Sequence, residues 1–143
     1  MGQYSVALDK PLPTVIPETA GFWEGTRAEE LRVQACRACG HRQINASPVC
    51  DECLSPDLEW QKSSGRGKVF SYTVVHHAFH PAFAAETPYV VADIELDEGP
   101  VLTSNVTGIA PDRVRIDMPV EVWFHKENDE ITLPKFKPRN GHT

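Results

Sequence analysis

A chain of 143 residues with 41% hydrophobic content is long enough for one ordinary domain or two small units that lean on each other. Twenty acidic against 14 basic side chains leave a formal charge of −6, which disfavours nucleic acid as a default partner. No run approaches membrane length, and the opening MGQYSVALDKPLP has neither the basic start nor the apolar centre of a secretion signal, so a cytoplasmic setting without a membrane is expected.

Residues 1–17 carry Pro11, Pro13 and Pro17 without periodicity and read as an extended arm. From Glu18 to Leu31 the placement of Phe22, Trp23 and Leu31 among polar residues predicts a short helix anchored by the aromatic pair and interrupted or ended near Gly25. Leu31–Ala35 alternates and runs straight into a cysteine pair, as the first strand of a zinc ribbon would. Gly40 to Val49 suffices for a small hairpin, and the ribbon ends near Trp60, giving a helix-and-ribbon unit over 18–62. Five short alternating runs follow: Val69–His77, Tyr89–Leu96, Val101–Thr107, Val120–His125 and Ile131–Phe136. Between the third and fourth, Pro111-Asp112 predicts a turn of helix. Five strands interrupted after the third match the order of an OB-fold, a small partly open barrel, over 63–138, with a tail at 139–143. The fold class expected is therefore mainly β: N-terminal helix, zinc ribbon, five-stranded OB-fold barrel.

The four cysteines stand as Cys36-x-x-Cys39 and Cys50-x-x-Cys53, a spacing that points four thiolates at one tetrahedral ion. Disulfides would need an oxidising compartment, which nothing here indicates. Iron uses the same ligands. Zinc is the preferred ion because no redox partner motif accompanies the site, and a closed four-thiolate shell leaves no position for a catalytic water. Every sulfur nucleophile of the chain is then occupied. If cysteine chemistry enters its function, the reactive cysteine belongs to another polypeptide.

Other candidates divide between ligand and partner contacts. Ser64-Gly-Arg-Gly-Lys68 lacks P-loop spacing and precedes a strand, so a flexible entry into the barrel is expected, with Arg66 or Lys68 still able to touch a phosphate. Arg32, Arg37 and Arg42 form another basic cluster, and Lys135, Lys137 and Arg139 a third. Among His76, His77 and His80, adjacent strand residues face opposite sides, so the trio is not a metal site and His80 is the best ligand-facing group. The connection Ala78–Pro88 is longer than a turn requires and carries Phe79, Pro81 and Phe83, which point to partner docking or ligand covering. Asp93, Glu95 and Asp97 share the solvated face of a strand. No Ser-His-Asp order or dinucleotide fingerprint emerges.

The cysteine pairs, Gly65-x-Gly67-x-Val69-x-Ser71-x-Thr73, Pro88-Tyr89, Leu96-x-x-Gly99, Met118-x-Val120 and Pro134-x-Phe136-x-Pro138 together resemble the acyl-CoA-associated family known as domain of unknown function thirty-five, from about Phe22 to Pro138. The resemblance implies an N-terminal helix, a rubredoxin-like zinc ribbon and a C-terminal OB-fold. It also implies an accessory role in a hetero-oligomer with a thiolase-like protein, in acyl transfer or steroid side-chain retro-aldol cleavage of an acyl-CoA substrate, with the catalytic residues on the partner. Arg66, Lys68, His80, Lys135 and Lys137 are then candidates for holding coenzyme A, and Phe79, Pro81 and Phe83 for the partner. Two departures stand out. The ribbon's inner loop, His41 to Pro48, lacks the family's usual proline pair and arginine, and Asp117 replaces a common glycine before Met118, where Asp tolerates a left-handed backbone. The alternatives are a single-stranded nucleic-acid binder, since ribbons and OB-folds both serve that purpose, and a stand-alone acyl-CoA-binding protein.

Overall fold

A computed structural model describes residues 13–77 and 86–139. One helix, α1 (Ala20–Arg27), leads into a three-stranded sheet of β1 (Arg32–Cys36), β2 (Arg42–Gln43) and β3 (Leu58–Lys62), ordered β2-β1-β3. A closed barrel follows: β4 (Arg66–Val75), β5 (Tyr89–Leu96), β6 (Val101–Val106), β7 (Pro119–Lys126) and β8 (Thr132–Pro138), ordered β4-β5-β6-β8-β7. A 3-10 turn at Pro111–Arg113 separates β6 from β7. The last strand therefore inserts between the third and fourth, pairing in parallel with β6 at Val106 and Phe136, and β4 closes on β7. That is the OB-fold connectivity expected from strand count and spacing.

The strands form where alternation is cleanest. Along β5 the inward residues Val90, Ala92, Ile94 and Leu96 are buried, while Asp93 and Glu95 face outward as expected. Phe136, Val69, Val120 and Val114 complete the barrel interior. Phe22, Leu31, Val33 and Ile44 belong to the same apolar cluster, so the helix and ribbon share one continuous core with the barrel.

The helix ends at Arg27, close to Gly25 as expected, while two other expectations are corrected. Gly25 does not interrupt the helix; it is buried where a side chain would strike Arg32 Cδ at 2.7 Å and the Glu30 carbonyl at 2.9 Å. Glycine is there for close approach rather than for a break. Gly65 to Lys68 is not a flexible entry, because Arg66, Gly67 and Lys68 already pair with β7 on one side and Gly67 and Lys68 with β5 on the other. Finally, β4 ends at Val75, before the two histidines, and carries a bulge between Val69 and Ser71. The bulge leaves Phe70 without a partner on β5 and turns it outward, 57% exposed.

The ribbon meets the barrel at a polar joint. Ser63 N–H donates to the Leu31 carbonyl at 2.7 Å, while the Glu98 carboxylate accepts from Ser63 Oγ at 2.7 Å and from Ser64 N–H at 2.9 Å. Partial burial alone would raise the Glu98 pKa, but the Ser64 N–H and Ser63 hydroxyl outweigh it and hold the carboxyl below its usual 4.5. A lowered folded-state pKa contributes stability that is fully present above the unfolded value and is lost as pH falls through the folded one. Glu98→Gln is therefore expected to flatten the acid limb of the melting profile below about pH 4.5, by under about 1 kcal/mol because the site is solvent-screened. Melting temperatures of parent and variant from pH 3 to 7 check this; parallel profiles would refute it.

Candidate metal centre

Each cysteine pair sits on a tight knuckle. After Cys39, Gly40 takes φ 82° and its N–H donates to the Cys36 carbonyl at 2.9 Å. After Cys53, Leu54 takes φ 64° and its N–H donates to the Cys50 carbonyl at 2.9 Å. Gly40 was legible as a turn residue; Leu54 was not, since leucine seldom adopts a left-handed backbone. Its side chain is 71% exposed. The two knuckles are thus the same device, one arriving from β1 and one from the loop before β3.

The sulfurs converge. Cys36 Sγ lies 3.6 Å from Cys53 Sγ, Cys39 Sγ lies 3.6 Å from Cys50 Sγ, and all four fall within 4.8 Å of one another. An ion with metal–sulfur bonds of about 2.3 Å has tetrahedral sulfur edges of about 3.8 Å, so the clustered sulfurs suit a four-thiolate metal. Cys36 and Cys50 are buried, Cys39 and Cys53 exposed. By themselves the sulfurs resist joint ionisation. The Cys39 N–H, aided by the Ala38 N–H and neighbouring thiols, brings Cys36 down to about 7 against the upward pull of burial. The His41 N–H favours the Cys39 thiolate, yet partial desolvation of its sulfur within the cluster and the adjacent sulfurs push that thiol up to about 12. Cys53 also rises: the Ser55 N–H opposes partial desolvation of the sulfur and its bond with Cys36, and loses. A divalent cation among them removes that conflict. These four are the only metal-competent group of this kind among the described residues.

The structure does not gather the ligand candidates into one site. Lys68 lines a cavity of about 380 Å3 with Glu95, Asp97, Asp117 and Arg139, and its Nζ stands 3.7 Å from both Glu95 and Asp117. Asp117 does adopt the left-handed backbone, φ 66°. Arg66 is exposed opposite Glu121 on β7, and Lys137 Nζ is 4.0 Å from the same Glu121. Lys135 lines a different, more apolar cavity of about 260 Å3 with Phe22, Trp23, Leu102 and Leu133. His76 and His77 are exposed beyond the strand end. His80, Phe79, Pro81 and Phe83 lie outside the described residues. Phe70 and Tyr72 of β4 and Ile116 are apolar groups that sequence alone did not single out, all exposed.

Residues 23–59 match the family described as "ChsH2, rubredoxin-like zinc ribbon domain", and residues 60–125 match "ChsH2, C-terminal OB-fold domain". A DUF35 domain-containing scaffold protein of Methanothermobacter thermautotrophicus is 36% identical over 133 residues, covering 87% of this chain and 99% of the relative. The chain belongs to the DUF35 family. Another DUF35-type relative, the solved chain titled "Ltp2-ChsH2(DUF35) aldolase", shares 41% identity and superposes with a TM-score of 0.81, covering 89% of this chain and 98% of that one. A probable enoyl-CoA hydratase alpha subunit of Thermomonospora curvata is 41% identical over 129 residues, 90% of this chain but 40% of the relative. This DUF35 chain spans less than half the length of that curated relative. No helix among the described residues is long and apolar enough to cross a membrane.

Proposed function

We propose that the protein is a zinc-binding accessory subunit of a thiolase-like acyl-CoA enzyme, supporting assembly and substrate placement while its companion supplies the reacting groups. The observation that carries this reading is that all four cysteines meet at one closed centre. Bound there, zinc supplies conformational hold and offers no open position for water. Cys36, Cys39, Cys50 and Cys53 are its ligands in this proposal, and iron is disfavoured by the absence of an accompanying redox motif. Similar chains are an Ltp2-ChsH2 aldolase component and a probable enoyl-CoA hydratase alpha subunit, in keeping with retro-aldol cleavage or acyl transfer on a CoA thioester. Docking on the companion draws support from Phe70, Tyr72 and Ile116. Val69 exchanges hydrogen bonds with Asp117 and Met118, which ties the turn carrying Ile116 to the stretch of β4 that carries Phe70, and both side chains are exposed.

Nucleic-acid binding is the less favoured reading. Arg37 is paired with Asp57 at 2.8 Å and Glu59 at 3.2 Å, Lys68 with Glu95 and Asp117, and Lys126 with Asp129, so these cations form no free basic stripe.

Co-expression with a thiolase-like companion, followed by size-exclusion and activity assays, tests the proposal. The companion is expected to lose solubility or activity without this chain; full activity alone would sink the idea. Within the complex, Phe70→Asp should weaken assembly roughly tenfold or more, as loss of an apolar interface anchor does, while the melting temperature of the isolated chain stays within about 2 °C because the ring packs on water. A large drop in melting temperature with unchanged assembly would make Phe70 a structural residue instead.

A further inference from the structure

The loop that delivers the second knuckle, residues 44–49, contains neither strand nor helix. Its terminal cysteine, Cys50, is nevertheless fully buried. A loop without backbone pairing has to be fixed by something else if it is to hold a ligand sulfur within tenths of an ångström.

Two glutamines meet that need. Gln34 in β1 and Gln43 in β2 are cross-strand partners, 6% and 5% exposed. Gln43 Nε2 donates to Gln34 Oε1 at 2.9 Å and to the Val49 carbonyl at 3.3 Å, while Gln43 Oε1 accepts from Asp51 N–H at 3.0 Å. One amide thus grips the main chain on both sides of Cys50. Gln34 does the same at Ser47: its Oε1 accepts the Ser47 N–H at 3.0 Å and its Nε2 donates to the Ser47 carbonyl at 3.2 Å. The side-chain amides take the place of a neighbouring strand. They also tie the loop to β1, which ends at Cys36 of the opposite knuckle.

We propose that Gln34 and Gln43 form a positioning clamp that presets the Cys50 knuckle for the ion and governs how slowly the metal leaves. Neither glutamine is a ligand. Buried amides that satisfy one another and four main-chain groups resist opening, since each broken bond leaves a buried polar atom without a partner. Release of the ion requires Cys50 to swing away, and Cys50 moves only when Val49 and Asp51 do. The inference rests on zinc occupying the four-thiolate site.

The test uses the full chain loaded with zinc, mixed with a chromophoric chelator in excess. Gln43→Met, close in size but without donors or acceptors, is expected to release zinc at least tenfold faster than the parent. Gln61→Met, at the partly buried β3 amide that bonds Arg42, should release at the parental rate. Cobalt substitution gives a second readout: the ligand-field bands of Gln43→Met should broaden or shift, as a merely destabilised but correctly shaped site would not require. Release within twofold of the parent together with unchanged cobalt bands overturns the clamp. A parent that retains no zinc at all refutes the metal assignment instead. Should Gln43→Met fail to fold, amide exchange in the unaltered zinc-loaded protein decides the matter. Protection of the Asp51 and Ser47 N–H groups equal to that of β1 supports the clamp, and rapid exchange overturns it.

Discussion

Cys50→Ser is expected to abolish tight metal binding and to open residues 31–62 to hydrogen exchange, with the barrel strands following at higher denaturant. Structural zinc sites in small modules supply on the order of 10 kcal/mol of apparent folding free energy. A ribbon with a two-residue β2 and a loop of six residues before Cys50 has little else to hold it. Cys50 is wholly buried beside Cys39, so a hydroxyl there loses both the thiolate and the fit. A chelator should reproduce the effect on the parent. The check is metal content by elemental analysis alongside residue-resolved exchange. A variant that keeps one ion per chain, or a chelated parent with undiminished melting temperature, would contradict the site as described.

Gly67→Ala is expected to split β4 from β5 and lower the melting temperature by roughly 5–15 °C. A methyl group at this position would sit 2.4 Å from the Glu95 carbonyl oxygen and 3.1 Å from Ile94 Cγ2. The first neighbour is backbone at the end of the β4–β5 ladder, where Gly67 pairs with Leu96, so it has no rotamer by which to move aside. Forced overpacking of this kind costs about 1–3 kcal/mol, and more where a ladder breaks. Thermal unfolding of the metal-loaded variant measures it. A loss below about 2 °C would mean that the strands separate more readily at Gly67 than the pairing implies.

The fold was legible to the degree that its determinants are local. Cysteine spacing announces the metal centre; the alternation Val90, Ala92, Ile94, Leu96 announces β5; five strands with a break after the third announce the barrel. The resemblance sets Asp117 where glycine is common, a position at which Asp tolerates a left-handed backbone, and its φ is 66°. What escaped depends on contacts between distant residues. The glycines at 25 and 67 look like breaks or flexible points in sequence, whereas both admit another part of the chain. The Phe70 bulge leaves no compositional trace. Gln34 and Gln43 read as ordinary polar residues on short strands; only folding shows that their amides are buried and turned on the loop before Cys50. Leu54 breaks the expectation that a residue in the left-handed region is glycine or asparagine.

The uninterrupted apolar cluster joining Phe22, Leu31, Val33 and Ile44 to Val69 and Phe136 makes metal supply a checkpoint for the whole chain. A cell short of the ion would hold a barrel whose ribbon has come away from it. It would produce a molecule whose oily seam is uncovered, recognisable to chaperones and proteases and removed before it can occupy a place in an assembly.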